Sequence, residues 1–274
     1  MRIRAIALDL DGTLLNAQKQ VSPRNLVAVL ACHRMGLRII VATARPPRSV
    51  KQLLPPPELL DAASAIYYNG AWLRYEGLNR QLGLTEELAR RIAVYFRERC
   101  PDAMLCYEWE DRLLSDRLPD AEHIELLGLP EDGSEPEVLR VEGGGGRHIA
   151  KLLLSNPDEI YERLEACFGQ EAHVLLTDNR RLIQIMHPEA SKERALALLL
   201  EAMHVSPEEV MAFGDDMNDL GMFRLCGYPV AMSNAVEPLK RLAVRITGHH
   251  DRDGVAIVLE ELAAGLSVNR SDAE

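Results

Sequence analysis

The chain begins with a short apolar segment that ends abruptly in acid. Residues 3–8 read Ile-Arg-Ala-Ile-Ala-Leu, and the run Asp9-Leu10-Asp11-Gly12-Thr13 follows directly. An apolar run of this length, bounded by a turn signal, is typical of a buried strand. Glycine at the turn permits backbone angles that other residues avoid. The pattern predicts a strand inside a sheet, with a polar turn at its carboxyl end.

Strand and helix patterns then alternate along the chain. A helix pattern runs from the Ser22-Pro23 cap to Gly36, and residues 37–42 are again strand-like. Serine before a helix and proline in its first turn are common start signals. The same alternation returns between residues 191 and 264. We therefore predict a doubly wound, Rossmann-like α/β core, with a parallel sheet and helices on both faces.

The middle of the chain has a different pattern. Helices are predicted at 86–99 and 157–168, and strands near 102–108, 137–142, 147–154, 171–177 and 181–187. Few crossover helices separate these strands, which favours an antiparallel sheet covered on one face. We predict that residues 85–184 form an inserted α+β cap domain. Residues 1–84 and 185–274 would then form the catalytic core.

The charge of the chain is strongly negative and unevenly distributed. The 274 residues include 31 basic and 42 acidic side chains, a formal net charge of −11. The stretch 81–184 holds 22 acidic and 12 basic residues, whereas the rest holds 20 and 19. Phosphate backbones and anionic lipids repel such a chain, and no basic run counteracts this. We therefore expect that the protein binds neither nucleic acid nor membranes. We also expect it to be a monomer or a homodimer.

The cysteines and the apolar segments indicate the cellular compartment. The five cysteines are odd in number and form no C-x-x-C pair, which favours a reducing environment. The apolar start is too short for a signal-peptide core, and no stretch approaches the roughly 20 apolar residues of a membrane span. We therefore expect a cytoplasmic protein.

Asp9 and Asp11 form the first candidate site. Residues i and i+2 of an extended segment point to the same side, so both carboxyl groups can address one ligand. In a parallel sheet, ligands bind at the carboxyl ends of the strands. Two adjacent carboxylates favour a divalent cation or a shared proton. An acidic turn without function is the alternative, but the complete D-L-D-G-T run after an apolar strand favours a functional site.

This run resembles the first motif, D-x-D-x-T, of the haloacid dehalogenase superfamily of phosphotransferases. The predicted insert and the later motifs are similar to the Cof-type branch with a type-IIB cap. The resemblance covers nearly the whole chain, with four separated motifs in the expected order. It implies a Mg²⁺-dependent phosphatase that hydrolyses small phosphate monoesters, such as sugar phosphates, through an aspartyl-phosphate intermediate.

The second motif is Thr43-Ala44-Arg45, after the strand at 37–42. A hydroxyl at a strand end, and the backbone N–H groups beside it, can bind a phosphate oxygen. Alone, such a threonine is more often a cap or turn residue. The resemblance implies that Thr43 and Ala44 bind the substrate phosphate. The family usually has glycine where this chain has Ala44, which bears on how closely the backbone approaches the phosphate.

The third motif is a lysine, which we assign to Lys192. An ammonium group at a helix start is unfavourable against the helix dipole, a cost that is explained if the charge serves an anion and the nucleophile. A solvated surface lysine is the ordinary alternative, and Arg194 is the second candidate. The segment resembles a Ser-Lys-Gly signature of the family, with Glu193 where glycine is common.

The fourth motif is the run 214–219, Gly-Asp-Asp-Met-Asn-Asp, after a predicted strand. Three carboxylates in five residues would destabilise a strand end unless a positive group lies among them. Magnesium takes oxygen ligands and keeps several waters, so few carboxylates suffice. The resemblance implies that Asp215 binds the metal directly. Asn218 and Asp219 would support the phosphate, the lysine or the metal's waters, and Asp216 is interpreted as a helix-start residue.

The mechanism implied by the resemblance follows from these motifs. Asp9 attacks phosphorus, and Asp11 protonates the leaving alkoxide and later deprotonates a water. Mg²⁺ is held by Asp9, the backbone carbonyl of Asp11 and Asp215. Thr43 and Lys192 bind the remaining phosphoryl oxygens. The cap closes over the site, contacts the leaving group and sets the choice of substrate.

Two other functions remain open. A phosphosugar mutase of similar architecture would transfer phosphate between hydroxyls of one sugar and release little free phosphate. A regulatory protein could keep the pocket without the chemistry, although Asp11 is needed for acid–base work and not for binding. Among weaker signals, the pair His249-His250 favours a solvated loop over a metal site. The glycine run 143–146 favours a flexible cap loop over a phosphate-binding nest.

Overall fold

The chain forms two compact units. A computed structural model describes residues 2–54, 57–115, 117, 120–127, 137–138 and 149–271. The core unit comprises Met1–Asn79 and Ser191–Glu274, and the inserted unit comprises Arg80–Ala190. The predicted insert, 85–184, lies within the second of these units.

The described elements alternate in the core unit and are mostly strands in the inserted unit. The strands are β1 (Ala5–Leu8), β2 (Arg38–Ala42), β3 (Ala63–Tyr67), β4 (Trp72–Tyr75), β5 (Leu78–Gln81), β6 (Leu105–Trp109), β7 (Arg112–Ser115), β8 (Glu137–Val138), β9 (Lys151–Ser155), β10 (His173–Thr177), β11 (Leu182–Met186), β12 (Val210–Gly214), β13 (Tyr228–Ala231) and β14 (Arg245–Ile246). The helices are α1 (Pro23–Arg34), α2 (Pro47–Leu53), α3 (Pro57–Ala62), α4 (Glu86–Arg99), α5 (Ala121–Leu127), α6 (Ile160–Phe168), α7 (Lys192–Ala202), α8 (Leu220–Leu225), α9 (Glu237–Leu242) and α10 (Gly254–Ser271).

The sheet of the core unit is built around β1. Its strand order is β14-β13-β12-β1-β2-β3-β4-β5. Strand β1 pairs in parallel with β12 on one side and with β2 on the other, and the strands from β14 to β3 are all parallel. Buried parallel strands read as continuous apolar runs, and β1 is fully buried along its length. The predicted α/β fold with a parallel core sheet is thus confirmed.

One edge of this sheet differs from the prediction. Strand β4 runs antiparallel to β3, and β5 extends the sheet beyond it. The turn between β4 and β5 has positive φ angles at Glu76 and Gly77, the conformation that suits a tight hairpin. Strand β5 is largely exposed and β4 buries only Leu73, so neither carries the continuous apolar pattern that predicts a strand.

Small residues in the sheet allow helix α7 to pack closely. Ala5 and Ala7 of β1 and Ala212 of β12 share a buried cluster with Leu196 and Leu199 of α7. Helix α7 is therefore fixed against β1 and β12, which matters because its first residue belongs to the candidate site.

A polar contact joins two other helices of the core unit. The buried Asn25 of α1 accepts a hydrogen bond from the backbone N–H of Ala256 in α10 (2.9 Å).

The inserted unit has its own sheet and its own core. The strand order is β10-β11-β9-β6-β7-β8, with antiparallel pairing throughout except between β7 and β8. Helices α4 and α6 contribute apolar side chains to a buried cluster with β6, β9 and β11. The prediction of an antiparallel sheet is confirmed, although β7 was not predicted. Residues 139–142 of a predicted strand, and the glycine run 143–146, lie outside the described residues.

Two further expectations concern helices and cysteines. None of the described helices combines the length and the apolar character that crossing a bilayer requires. All five cysteines fall within the described residues, and no disulfide joins them.

Candidate active site

The candidate residues lie at the carboxyl ends of three neighbouring strands of the core unit. Asp9 follows β1, Thr43 follows β2, and Asp215 follows β12. Because these strands are adjacent and parallel, their carboxyl ends meet at one edge of the sheet. The loops that carry these three residues therefore converge.

A buried lysine joins two of the acids. The Nζ atom of Lys192 lies 2.6 Å from Oδ1 of Asp9 and 2.7 Å from Oδ1 of Asp219. The side chains of Lys192 and Asp219 have no exposed surface, and Asp9 is nearly as buried. Lys192 is the first residue of α7, so the packing of this helix on the sheet delivers the ammonium group. Arg194, the second candidate, uses its backbone N–H to bond the Ser191 cap.

Three acids share this part of the site with one lysine, Lys192. Oxygens of Asp9, Asp215 and Asp219 lie within 4.8 Å of one another. Burial, with repulsion from Asp9 and Asp219, raises the pKa of Asp215 to about 9. Burial also raises the pKa of Asp9 to about 7, although Lys192 opposes this shift. Burial would lower the pKa of Lys192, but the two carboxylates beside it outweigh this and raise it. When they are ionised, these acids therefore carry more buried negative charge than Lys192 neutralises, and a further cation would balance it.

The hydrogen bonds show which acids could hold a cation. Oδ1 of Asp219 accepts from Lys192, and its Oδ2 accepts from the backbone N–H groups of Asp215 (3.0 Å) and Asp216 (3.3 Å). Asp219 is therefore used to fix the lysine and the loop. Asp9 and Asp215 remain as candidate ligands, and their hard oxygen atoms suit Mg²⁺. The donor set fits the expected metal.

The turn after β1 sits directly against Asp215. The buried hydroxyl of Thr13 donates a hydrogen bond to Oδ1 of Asp215 (3.0 Å). Gly12 has a φ of +73°, and a Cβ atom there would lie 2.2 Å from Oδ2 of the same carboxylate. Asn234 donates from Nδ2 to the carbonyl of Gly12 (2.8 Å). Gly12 therefore leaves room for the carboxylate of Asp215, and Thr13 fixes its position through a hydrogen bond.

We predict that Gly12→Ala lowers both stability and activity. The left-handed backbone costs a side-chain-bearing residue about 1–2 kcal/mol, and the added methyl group would displace the Asp215 carboxylate. Thermal unfolding and phosphate release measure the two effects. Gly36→Ala is the matched control, because Gly36 also has a positive φ (+90°) but open space around the new Cβ. If both variants behaved alike, contact with Asp215 would not explain Gly12.

Thr43 and Asn218 lie at the same edge of the sheet and are linked through Asn69. The buried Oγ1 of Thr43 accepts from the backbone N–H of Arg45 (3.1 Å), so the hydroxyl also stabilises the turn after β2. Asn69 donates its backbone N–H to the carbonyl of Thr43 (3.0 Å). The side-chain oxygen of Asn69 accepts a hydrogen bond from Nδ2 of Asn218 (3.0 Å). Ala44, between Thr43 and Arg45, is half-buried.

Asp11 is held by two cations that sequence reasoning did not place in the site. Arg45 binds both of its oxygens, with Nε 2.5 Å from Oδ2 and Nη2 2.7 Å from Oδ1. Nζ of Lys19 lies 2.8 Å from Oδ1. Desolvation would raise the pKa of Asp11, but these cations outweigh it and hold the pKa well below its usual range. Arg45 stands inside the Thr-Ala-Arg motif, whereas nothing in the sequence points to Lys19.

The histidine pair lies beside the loop that follows β1. Nitrogen and oxygen atoms of His249, His250 and Asp251 are close enough to hold an ion. However, Nδ1 of His250 lies 2.8 Å from the carbonyl of Leu15, and Oδ1 of Asp251 accepts from the backbone N–H of Ala17 (2.7 Å). In this structure the segment therefore braces the loop.

Comparison with known proteins is consistent with this arrangement. Residues 6–259 match the family of haloacid dehalogenase-like hydrolases. The 5-amino-6-(5-phospho-D-ribitylamino)uracil phosphatase YwtE of Bacillus subtilis is 27% identical, over 96% of this chain and 99% of that protein. The putative phosphatase YkrA of the same organism is 30% identical, over 96% of this chain and 98% of its own length.

A solved structure shows the same fold. A haloacid dehalogenase-like hydrolase from Bacteroides thetaiotaomicron superposes with a TM-score of 0.80 at 24% identity, covering 95% of this chain and all of that one. The family match spans the segments that carry all four motifs. The chain therefore belongs to the haloacid dehalogenase-like hydrolases, in the Cof-type branch expected from its motifs, and is a phosphoric monoester hydrolase.

Proposed function

We propose that the protein is a Mg²⁺-dependent phosphatase of small metabolites that works through an aspartyl-phosphate on Asp9. The observation that carries the proposal is the buried triad of Asp9, Lys192 and Asp219. Lys192 binds Oδ1 of Asp9 at 2.6 Å, which fixes the carboxylate at the end of β1 and neutralises part of its charge. A carboxylate fixed in this way suits nucleophilic attack on phosphorus.

The remaining residues take roles that match their positions. Asp9, Asp215 and the backbone carbonyl of Asp11 would hold the ion. Mg²⁺, when bound, neutralises the charge of the transferring phosphoryl group. Asp11 would donate a proton to the leaving oxygen and later take one from the hydrolytic water, which requires a state in which Arg45 and Lys19 no longer hold it ionised.

The phosphoryl oxygens would be held by groups at the ends of β2 and β12. These are the hydroxyl of Thr43, the backbone beside Ala44, and Asn218, with Lys192 contributing positive charge. Asp219 supports them indirectly, because it holds both Lys192 and the backbone at Asp215.

The leaving group is proposed to be a sugar or a sugar-like alcohol. YwtE, which matches this chain over nearly its whole length, is named for a substrate that carries its phosphate on a ribityl chain. We propose that the inserted unit selects this group. A cytoplasmic location and a monomeric or dimeric state complete the proposal, and the absence of disulfides among the five cysteines supports the former.

Phosphate release from p-nitrophenyl phosphate tests the proposal. We expect turnover with Mg²⁺, its loss in EDTA and its recovery when the ion is restored. Mg²⁺ should also raise the melting temperature of EDTA-treated protein, since a ligand that binds only the folded state stabilises it.

Two variants make the metal test specific. Asp215→Asn should lose both the activity and the thermal response. Asp216→Asn should keep both, because the side chain of Asp216 caps the backbone N–H of Met217 (2.8 Å). Full activity in EDTA would overturn the proposed metal.

The same assay separates the alternative functions. A phosphosugar mutase would need a phosphorylated activator and would release little phosphate. A regulatory binding protein would bind phosphate esters and release none. A panel of phosphorylated sugars, flavin mononucleotide, pyridoxal phosphate and nucleotides would then identify the leaving group.

A further inference from the structure

The turn that follows strand β3 has an unusual backbone. Tyr68, Asn69 and Gly70 have consecutive φ angles of +52°, +54° and +99°, and all three residues are buried. Residues other than glycine rarely adopt a positive φ, and in folded proteins such conformations concentrate at functional sites. The surroundings of this turn, rather than its local preference, therefore hold it in place.

The turn is tied to two parts of the candidate site. Its first two backbone N–H groups donate to the carbonyls of Arg45 (3.2 Å) and Thr43 (3.0 Å). A Cβ atom on Gly70 would collide with the carbonyl oxygen of Ser191, so the turn also packs closely against the residue before helix α7. The turn therefore has a fixed position relative to the end of β2 and the start of α7.

The side chain of Asn69 makes a contact that bears on phosphate binding. Its Oδ1 atom accepts a hydrogen bond from Nδ2 of Asn218 (3.0 Å), and Asn69 is only 1% exposed. A carboxamide carries a donor on one side and an acceptor on the other, and only the donor side can bond a phosphate oxygen. The oxygen of Asn69 turns the NH₂ group of Asn218 toward the end of β2. This group has two hydrogen atoms, of which Asn69 takes one.

We infer that Asn69 is a positioning residue, which keeps the donor side of the Asn218 amide turned toward the substrate phosphate. Without Asn69, the amide would be free to rotate by half a turn and present its oxygen, which a phosphate oxygen repels. The inference rests on the proposed function, in which Asn218 helps to hold the phosphoryl oxygens. It gives Asn69 no contact of its own with the substrate.

Inorganic phosphate, the product of the proposed reaction, is the probe for this role. Calorimetric titration in the presence of Mg²⁺ gives its Kd, and turnover of p-nitrophenyl phosphate gives kcat. We expect Asn218→Ala to weaken phosphate binding by about tenfold to a hundredfold, because a hydrogen bond to a charged group is lost. Asn69→Gly should weaken it by about threefold to tenfold, because the amide loses its orientation and not its donor.

The two kinetic constants should respond differently. A contact that binds substrate and transition state alike affects KM and leaves kcat nearly unchanged. Asn69→Gly should therefore raise KM by about the same factor as the Kd of phosphate, with kcat altered by less than about twofold. A fall in kcat with phosphate binding unchanged would overturn the inference, because Asn69 would then act on the chemical step.

A glycine and an alanine variant separate the side chain of Asn69 from its backbone. Glycine adopts a positive φ without strain, whereas alanine does not. Asn69→Ala should therefore unfold at a lower temperature than Asn69→Gly, while both bind phosphate equally weakly. Phosphate binding that was lost in the alanine variant and kept in the glycine variant would overturn the inference, because the backbone and not the amide would then be responsible.

The matched control is an asparagine of the same conformation in the inserted unit. Asn179 also has a φ of +54°, and it is exposed in the turn between β10 and β11. Asn179→Gly and Asn179→Ala should differ in melting temperature in the same direction, and both should bind phosphate as the unsubstituted protein does. Weakened phosphate binding in Asn179→Gly would count against a specific role for Asn69.

A double variant separates this inference from the proposed function. In protein that already carries Asn218→Ala, adding Asn69→Gly should have little further effect on the Kd of phosphate. If it weakened binding by its full factor again, Asn69 would act independently of Asn218, and the inference would fail while the proposed function stands. If the unsubstituted protein released no phosphate from p-nitrophenyl phosphate, the proposed function would fail, and the inference with it.

Discussion

Asp9→Asn is expected to give a folded protein that releases no phosphate. The amide is a poor nucleophile, so turnover should fall by about a thousandfold or more, as it does when other covalent catalysts lose their nucleophile. The shape of the site should be kept, because an amide oxygen can still accept the hydrogen bond that Lys192 donates to Oδ1 of Asp9.

Stability provides the internal control for this variant. Burial already raises the pKa of Asp9 to about 7, which means that its charge is held at a cost. Replacing it with a neutral amide should leave the melting temperature unchanged or raise it. Asp61→Asn, on the exposed face of helix α3, controls for the substitution itself and should keep full activity.

Mass spectrometry tests the nucleophile directly. Protein quenched in acid during turnover should carry one added phosphoryl group on the peptide that contains Asp9, and the Asp9→Asn variant should carry none. A phosphoryl group on another residue, or substantial turnover by the variant, would show that Asp9 is not the nucleophile.

The elements that carry the site could be predicted because their signals are local. Strand β1 is an uninterrupted buried apolar run, and a glycine follows its two aspartates. The strand, its end and its turn can therefore all be predicted from the sequence. Strands β4, β5 and β7 are not predicted from the sequence. They are as short as β1, but arginine and other polar residues interrupt their sequences (W-L-R-Y, L-N-R-Q and R-L-L-S), whereas the A-I-A-L of β1 is apolar throughout. Without a continuous apolar run, strands of this length do not differ from loops in pattern.

The contacts between distant residues could not be predicted in this way. No local pattern distinguishes the three acids of the run 214–219. In the structure, both carboxylate oxygens of Asp219 accept hydrogen bonds, from Lys192 and from two backbone N–H groups. Asp215 instead accepts a hydrogen bond from the hydroxyl of Thr13. Lys192 is 183 residues from Asp9 and was assigned through family resemblance. The pairing of Arg45 with Asp11 depends on how β1 and β2 lie side by side, and no pattern within either segment encodes it.

Lys192→Met is expected to destabilise the fold as well as abolish turnover. Methionine keeps much of the length of the side chain, but it leaves Asp9 and Asp219 buried without their cation. Removing one partner of a buried ion pair costs about 3–5 kcal/mol, because the remaining charge is uncompensated. Urea unfolding at neutral pH measures this loss.

The pH dependence of that loss has a definite sign. Burial already raises the pKa of Asp9 above its unfolded value, and removing Lys192 takes away the contact that opposes this shift. A carboxyl group of this kind destabilises the fold when it is ionised. The loss of stability should therefore be largest at neutral pH and above, and should shrink as the pH falls and Asp9 is protonated.

A second substitution separates stability from catalysis. Adding Asp219→Asn to Lys192→Met removes one of the two stranded charges, so much of the lost stability should return while phosphate release stays absent, since nothing then fixes or neutralises Asp9. The control is Lys51→Met, which removes an exposed lysine. If Lys192→Met lost no more stability than Lys51→Met, the buried ion pair would not stabilise the fold. Activity that returned with stability would mean that Lys192 serves the fold alone, and that the ammonium group beside Asp9 has no part in binding the transferring phosphate.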